Sequence, residues 1–160
     1  MKAAIESVRV AGTERGPAPV VLLDVEGETD VLPIFVGFEE ATSIARGMDA
    51  ADFGRPLTHD LLLDVVEELG CRVDRVHVAH LDEGTFLADL HLNTPRNDVT
   101  VDARPSDALA LASRTNCPVT VAPEVFERAS DDPDRYAELD DIRDVIRAEM
   151  DAEEEGEYYL

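Results

Sequence analysis

The sequence predicts an α+β domain, with a mixed, largely antiparallel sheet and helices packed on it. Three observations carry that prediction. The chain opens with three strand-like segments separated only by short turns, the grammar of antiparallel pairing. Two segments of helical period come next, and strands return after them. A gapless shift of 67 residues then lays "VVLLDVEGETDVLPIFVGFEEATSIAR" over "LADLHLNTPRNDVTVDARPSDALALAS", with Leu23 on Leu90, Val25 on Leu92, Ile34 on Val101 and Ala41 on Ala108. The overlay is either a duplication or the shared grammar of a strand–strand–helix unit, and both give the same fold class.

"AAIESVRV" (3–10) alternates as a strand should, "VVLLDV" (20–25) follows a Gly/Pro-rich turn, and "VLPIFVG" (31–37) follows the turn "EGETD". A helix is expected over 38–48, because Ala41, Ile44, Ala45 and Met48 recur at i, i+3, i+4 and i+7. "DAADFGRP" (49–56) reads as a connector. The clearest helix spans 58–70: Thr58 is a good N-cap, Asp60 lies in the first turn and Gly70 ends it. Leu61, Leu62, Val65, Val66 and Leu69 would form its apolar face. Strands return at 72–81, 84–92 and 98–103. A short helix (106–115) then leads to a strand (117–122) and a helical turn opened by Pro123. Residues 134–150 form an amphipathic stripe through Leu139, Ile142, Val145, Ile146 and Met150, and 151–160 should be frayed or disordered. The expected division is one domain over 1–130 and an acidic C-terminal helix with a tail over 131–160.

Charge is the unusual feature. Thirty-six acids face 14 bases, a net of −22, and 13 of those bases are Arg. An acidic chain with a single Lys is read as a halophilic protein of a salt-rich cytoplasm, where salt screens the repulsion. In dilute buffer such a charge would oppose a nucleic-acid partner; under screening only the local charge of a site counts. No apolar run approaches the roughly 18 residues of a membrane span, and "MKAAIESVRV" lacks a signal-peptide core. A soluble cytoplasmic protein is expected. Cys71 and Cys117 stand apart from any Cys/His cluster, which argues against zinc. The common nucleotide-loop, zinc-protease and serine-elbow motifs are absent.

Two corners share a design: "RPLTHD" (55–60) and "RPSD" (104–107). Each places Arg-Pro, a hydroxyl residue and an Asp at the opening of a helix. Free backbone N–H groups attract anions there, and Arg grips a phosphate with two parallel bonds. The alternative is structural, with Thr58 and Ser106 as caps and Arg55 and Arg104 paired to the acids. Capping does not account for Asp102 or Arg104, because the matching junction at 36–40 has Gly37 and Phe38 where this one has Arg104 and Pro105. His59, at a helix start, suits a general base or a metal ligand. Glu39, Glu40, Asp60, Asp102 and Asp107 all lie near strand-to-helix transitions, where converging carboxylates would select Mg²⁺ or Mn²⁺.

"LPIFVGFEEATSIA", "RPLTHDLLLDVVEELG", "GTFLADLHL" and "VDARPSDALALASRTNCPVTV", in that order over about residues 3–130, closely resemble the bifunctional nuclease domain family. The resemblance implies an α+β fold, hydrolysis of phosphodiester bonds in DNA and RNA, and a homo-oligomer. It directs attention to Arg55, Thr58, His59, Asp60, Asp102, Arg104, Ser106 and Asp107. On that reading His59 is the general acid/base, and Asp60, Asp102 and Asp107 hold a divalent metal (Mg²⁺ or Mn²⁺) or activate water. Arg55 and Arg104, with Thr58 and Ser106, bind the substrate. The alternative is a non-catalytic oligomeric interaction or anion-binding module whose Arg-Pro corners lock the helices. The relative placement of the two corners separates these readings.

Overall fold

A computed structural model describes residues 1–50 and 54–157. The middle of the connector expected at 49–56 and the last three residues of the expected tail lie outside them. The chain order is β1 (Lys2–Thr13), β2 (Gly16–Val25), β3 (Val31–Phe35), α1 (Phe38–Met48), α2 (Thr58–Glu68), β4 (Arg72–Asp82), β5 (Thr85–Asn93), β6 (Asp98–Ala103), α3 (Pro105–Thr115), β7 (Val119–Val121), α4 (Pro123–Ala129), β8 (Asp140–Asp141) and α5 (Ile142–Glu157). This is the α+β class that the succession of elements predicts.

The strands form one mixed sheet in the order β3-β2-β1-β7-β4-β5-β6, with β8 added to β1. Among the described residues only β4 and β7 pair in parallel; the other pairs are antiparallel. One hairpin-plus-helix (β2, β3, α1) lies at one end of the sheet and another (β5, β6, α3) is built from the other end. Their helices α1 and α3 pack against each other on the same face.

Alternation explains the sheet's two faces. Val21, Leu23 and Val25 turn toward the helices and join Ile44, Leu109 and Ile142 in the main core. Val20 and Leu22 face the other way and are covered by Tyr136 and Leu139. From Ala108 to Ala112 helix α3 is buried all round. Alanines let neighbours approach closely there, while Leu109 and Leu111 supply the apolar volume. Helices α1 and α3 approach closely at Gly47, where an added Cβ would run into the Ser113 side chain. A larger residue at Gly47 would therefore force these two helices to shift.

Three expectations need correction. Thr58 is the first helical residue of α2, not its cap; the cap position is Leu57, whose N–H donates to Asp60 Oδ2 (3.1 Å). The stripe of α2 does not face the core. Leu61 is 55% exposed and Leu69 70%, while Leu63, outside the stripe, is the residue that α2 buries. The helix touches its neighbours along one narrow edge, mainly through α3 and β4, with His59 reaching Ser43 of α1. The helix expected over 134–150 begins at Ile142, after a 3₁₀ turn at Pro133–Arg135 and the short strand β8, and it runs on to Glu157. The segment before it is tied to the sheet, through a bridge from Asp131 to Val31 and the pairing of β8 with β1.

Candidate active site

Helices α1, α2 and α3 each bring side chains to one polar cluster. Asp107, in the first turn of α3, sits one turn from Arg104, which precedes the helix. Arg104 closes a two-pronged pair on it, Nε to Oδ2 at 2.8 Å and Nη2 to Oδ1 at 3.1 Å, and Nη2 also reaches Glu40 of α1 at 3.2 Å. From α2, His59 Nε2 lies 3.0 Å from Asp107 Oδ1. On the far side of the imidazole, Nδ1 lies 2.6 Å from the Ser43 hydroxyl of α1. Arg114, in the last turn of α3, donates to that same hydroxyl (3.0 Å), to the Ser43 carbonyl (3.0 Å) and to Asp60 Oδ1 (2.6 Å).

The partners fix the protons. An ionised Asp107 can only accept, so His59 Nε2 carries the hydrogen. In the neutral ring Nδ1 is then the acceptor, and Ser43 donates to it while accepting from Arg114. Asp107, His59 and Ser43 thus form one directed chain of hydrogen bonds. Burial would raise the Asp107 carboxyl, but the bonds from Arg104 and His59 outweigh it and hold it below the ordinary Asp value. Asp60 is lowered in the same way: burial opposes, and the Arg114 and Leu57 hydrogen bonds prevail.

The cluster opens on a cleft of about 850 Å³, lined in part by Ser43, Thr58, His59, Arg104 and Asp107, with the apolar wall of α5 (Ile142, Val145, Ile146) opposite. This is the arrangement of a base, its orienting carboxylate, a hydroxyl and a cation around one space.

The sequence between residues 20 and 134 matches the model of the bifunctional nuclease domain. The chain belongs to the bifunctional nuclease domain family. Among its relatives, an uncharacterized protein of Mycobacterium tuberculosis is 40% identical over 111 residues, 69% of this chain and 66% of that protein. The protein named bifunctional nuclease 1 of Arabidopsis thaliana is 29% identical over 109 residues, 66% of this chain and 34% of that one. Bifunctional nuclease 2 of Oryza sativa is 26% identical over 112 residues, 68% and 34% respectively. The chain thus spans just under two thirds of the mycobacterial relative and about a third of the plant ones.

The expected residues of this bifunctional nuclease domain separate into two groups. His59, Asp107, Arg104 and Thr58 line the cleft, and Asp60 joins the cluster through Arg114. Arg55 is exposed and does not line the cleft, and Ser106 is buried at the second position of α3 without lining it either. Asp102 is on the opposite face of the sheet. Its neighbour Ala103 pairs with Ala88, whose side chain is in the helix-side core, so Asp102 and its partner Asp89 point away from the helices. The two Arg-Pro corners do not meet as equals: Asp60 of "RPLTHD" is held by Arg114, not by Arg55.

The donor set does not fit the expected magnesium or manganese site. Both oxygens of Asp107 and both of Asp60 already accept from Arg, His or backbone N–H groups, and Asp102 is on the other face. Among the described residues no three His, Cys, Asp or Glu side chains converge as metal ligands.

Two members of the site escaped the sequence reading, Arg114 and Ser43. Arg114 follows Asp107 by seven residues, two helical turns, so both lie on one face of α3. That spacing was the available signal. Ser43 follows Glu40 by three on α1 in the same way.

Proposed function

We propose that this chain hydrolyses phosphodiester bonds of DNA and RNA. The family and the plant relatives' names support the substrate class. The observation that carries the reading is the His59–Asp107 pair opening on the cleft beside Arg104. A nucleophile that attacks phosphorus must lose a proton as it bonds, and an imidazole held by a carboxylate accepts that proton and stabilises as a cation. Arg104, whose side chain is 65% exposed, spends Nε and Nη2 on Asp107 and Glu40 and brings its positive charge and Nη1 to a phosphate in the cleft. The reaction is routed through the chain's own residues.

The cleft also holds Glu39, Glu40 and Glu149, and the chain carries −22 overall. A polyanion is repelled from it in dilute buffer. At molar salt the screening length falls to about 3 Å, so cleavage should rise with KCl, the reverse of ordinary nucleic-acid binding. The test is cleavage of single- and double-stranded DNA and RNA in dilute and molar KCl. Expected are cleavage at molar KCl and a loss of about 10²-fold or more in His59→Ala and Asp107→Ala. No cleavage under any of these conditions would overturn the reading.

The exposed stripe of α2 favours a second reading, a non-catalytic module that assembles with copies of itself, since large bare apolar surfaces mark contact sites. Leu61→Asp with Leu69→Asp should then lower the mass seen by light scattering. An unchanged mass removes this reading and leaves the first untouched.

A further inference from the structure

We infer that Ser43 is the attacking nucleophile, so that cleavage passes through a phosphate ester on its hydroxyl. The inference rests on the phosphodiesterase reading and concerns which oxygen strikes first. Four observations carry it. The lone pair of His59, on Nδ1, is aimed at the Ser43 hydroxyl 2.6 Å away; a water could use the same base only after that bond was broken. The opposite nitrogen is pinned on Asp107 at 3.0 Å, so the ring cannot turn without losing both partners. Arg114 donates to the Ser43 oxygen at 3.0 Å and supplies positive charge where an alkoxide would develop. Ser43 lines the cleft shared by Arg104 and His59. A hydroxyl, a base and an orienting acid in hydrogen-bond series is the arrangement of an activated nucleophile.

The steps balance. Ser43 Oγ bonds to phosphorus as its proton passes to His59 Nδ1, and the imidazolium is stabilised by Asp107. The bond from phosphorus to the leaving oxygen breaks on the side opposite Ser43, and that oxygen takes a proton from water in the open cleft. The hydroxide so formed attacks phosphorus from the side the leaving group vacated. The Ser43 oxygen departs and recovers its proton from His59. The net change is one water consumed, one alcohol released and one monoester formed.

Two measurements on the unaltered chain in molar KCl test this. The first is labelling by diisopropyl fluorophosphate, mapped by mass spectrometry; it needs no nuclease activity. Modification of Ser43 is expected, about 10²-fold slower in His59→Ala. The second is hydrolysis of a chiral phosphorothioate diester in ¹⁸O-labelled water, whose incoming oxygen makes the monoester product chiral at phosphorus. Two in-line displacements return the original configuration at phosphorus, whereas direct attack by water inverts it. Retention is expected; inversion overturns the inference while leaving the nuclease reading intact. If no diester is cleaved, a labelled Ser43 keeps the nucleophile and sinks the nuclease reading, and an unlabelled Ser43 sinks both. Ser43→Ala, checked for an unchanged melting profile, should lose both labelling and turnover.

Discussion

Replacing Arg114 by Ala should cost far more stability than replacing Arg104, although both arginines pair with an Asp in the same cluster. The Arg114 side chain is 9% exposed and donates to four acceptors, Asp60 Oδ1, the Ser43 and Ala110 carbonyls and the Ser43 hydroxyl. Breaking a fully buried pair from one side costs about 3–5 kcal/mol. Asp60 is 40% exposed and regains water, which trims the loss to about 2–4 kcal/mol. At about 2–4 °C per kcal/mol for a chain of this size, the melting temperature should fall by about 5–15 °C. Arg104 stands in water, and its loss should leave melting nearly unchanged. Thermal melts of both variants in molar KCl decide the matter, since screening by salt reaches an exposed pair before a buried one. Arg114→Lys keeps the charge but not the fork and should fall between. If Arg114→Ala melted with the wild type while Arg104→Ala melted lower, the assignment of Arg114 as the strut between three helices would be wrong.

Gly47→Ala should destabilise by about 1–3 kcal/mol, the usual cost of overpacking, because its methyl would strike Ser113 and crowd Arg114; a denaturant midpoint measures it. Asp102→Asn should leave nucleic-acid cleavage unchanged and Asp107→Asn should abolish it, since only the second carboxylate faces the cleft. The Asp60 and Asp107 carboxyls are held low in the folded chain, so their contribution is complete above about pH 4, the unfolded value. It is lost as the pH falls through the lowered values; acid unfolding should be shallower in Asp107→Asn. Tyr136, pushed up to about 12 by burial and by its bond to Asp131, contributes stability below about pH 10 that disappears as the pH rises through about 12. Ultraviolet titration should show one phenol ionising late, and Tyr136→Phe should remove it.

Much of the fold was legible because alternation and helical period are local signals. The hairpins at 16–35 and 85–103 and the start of α3 at its Arg-Pro corner follow from them. The orientation of α2 was not legible. Periodicity says that Leu61, Val65 and Leu69 share a face, but not whether any element of this chain covers it. Asp102 misled for a related reason: it is close to Asp107 in sequence, yet a strand turns alternate residues to opposite faces, and one step of parity put it across the sheet. His59 and Asp107 could be named as candidates from helix-start chemistry alone. Their meeting could not, because 48 residues and two helix packings separate them. Arg114 was hidden by its position, where a basic residue in a last turn is already explained by the helix dipole.

Because α2 buries so little apolar surface, its place in the site depends on the polar bonds of His59 and Asp60. His59 and Asp60 ride on a helix whose principal apolar anchor is Leu63, while Ser43, Asp107 and Arg114 stand on helices embedded in the core. Loss of those bonds would free the imidazole and leave the sheet and the rest of the core in place. The fold and the alignment of the proposed site therefore rest on different contacts, and a substitution can disturb the second without unfolding the first.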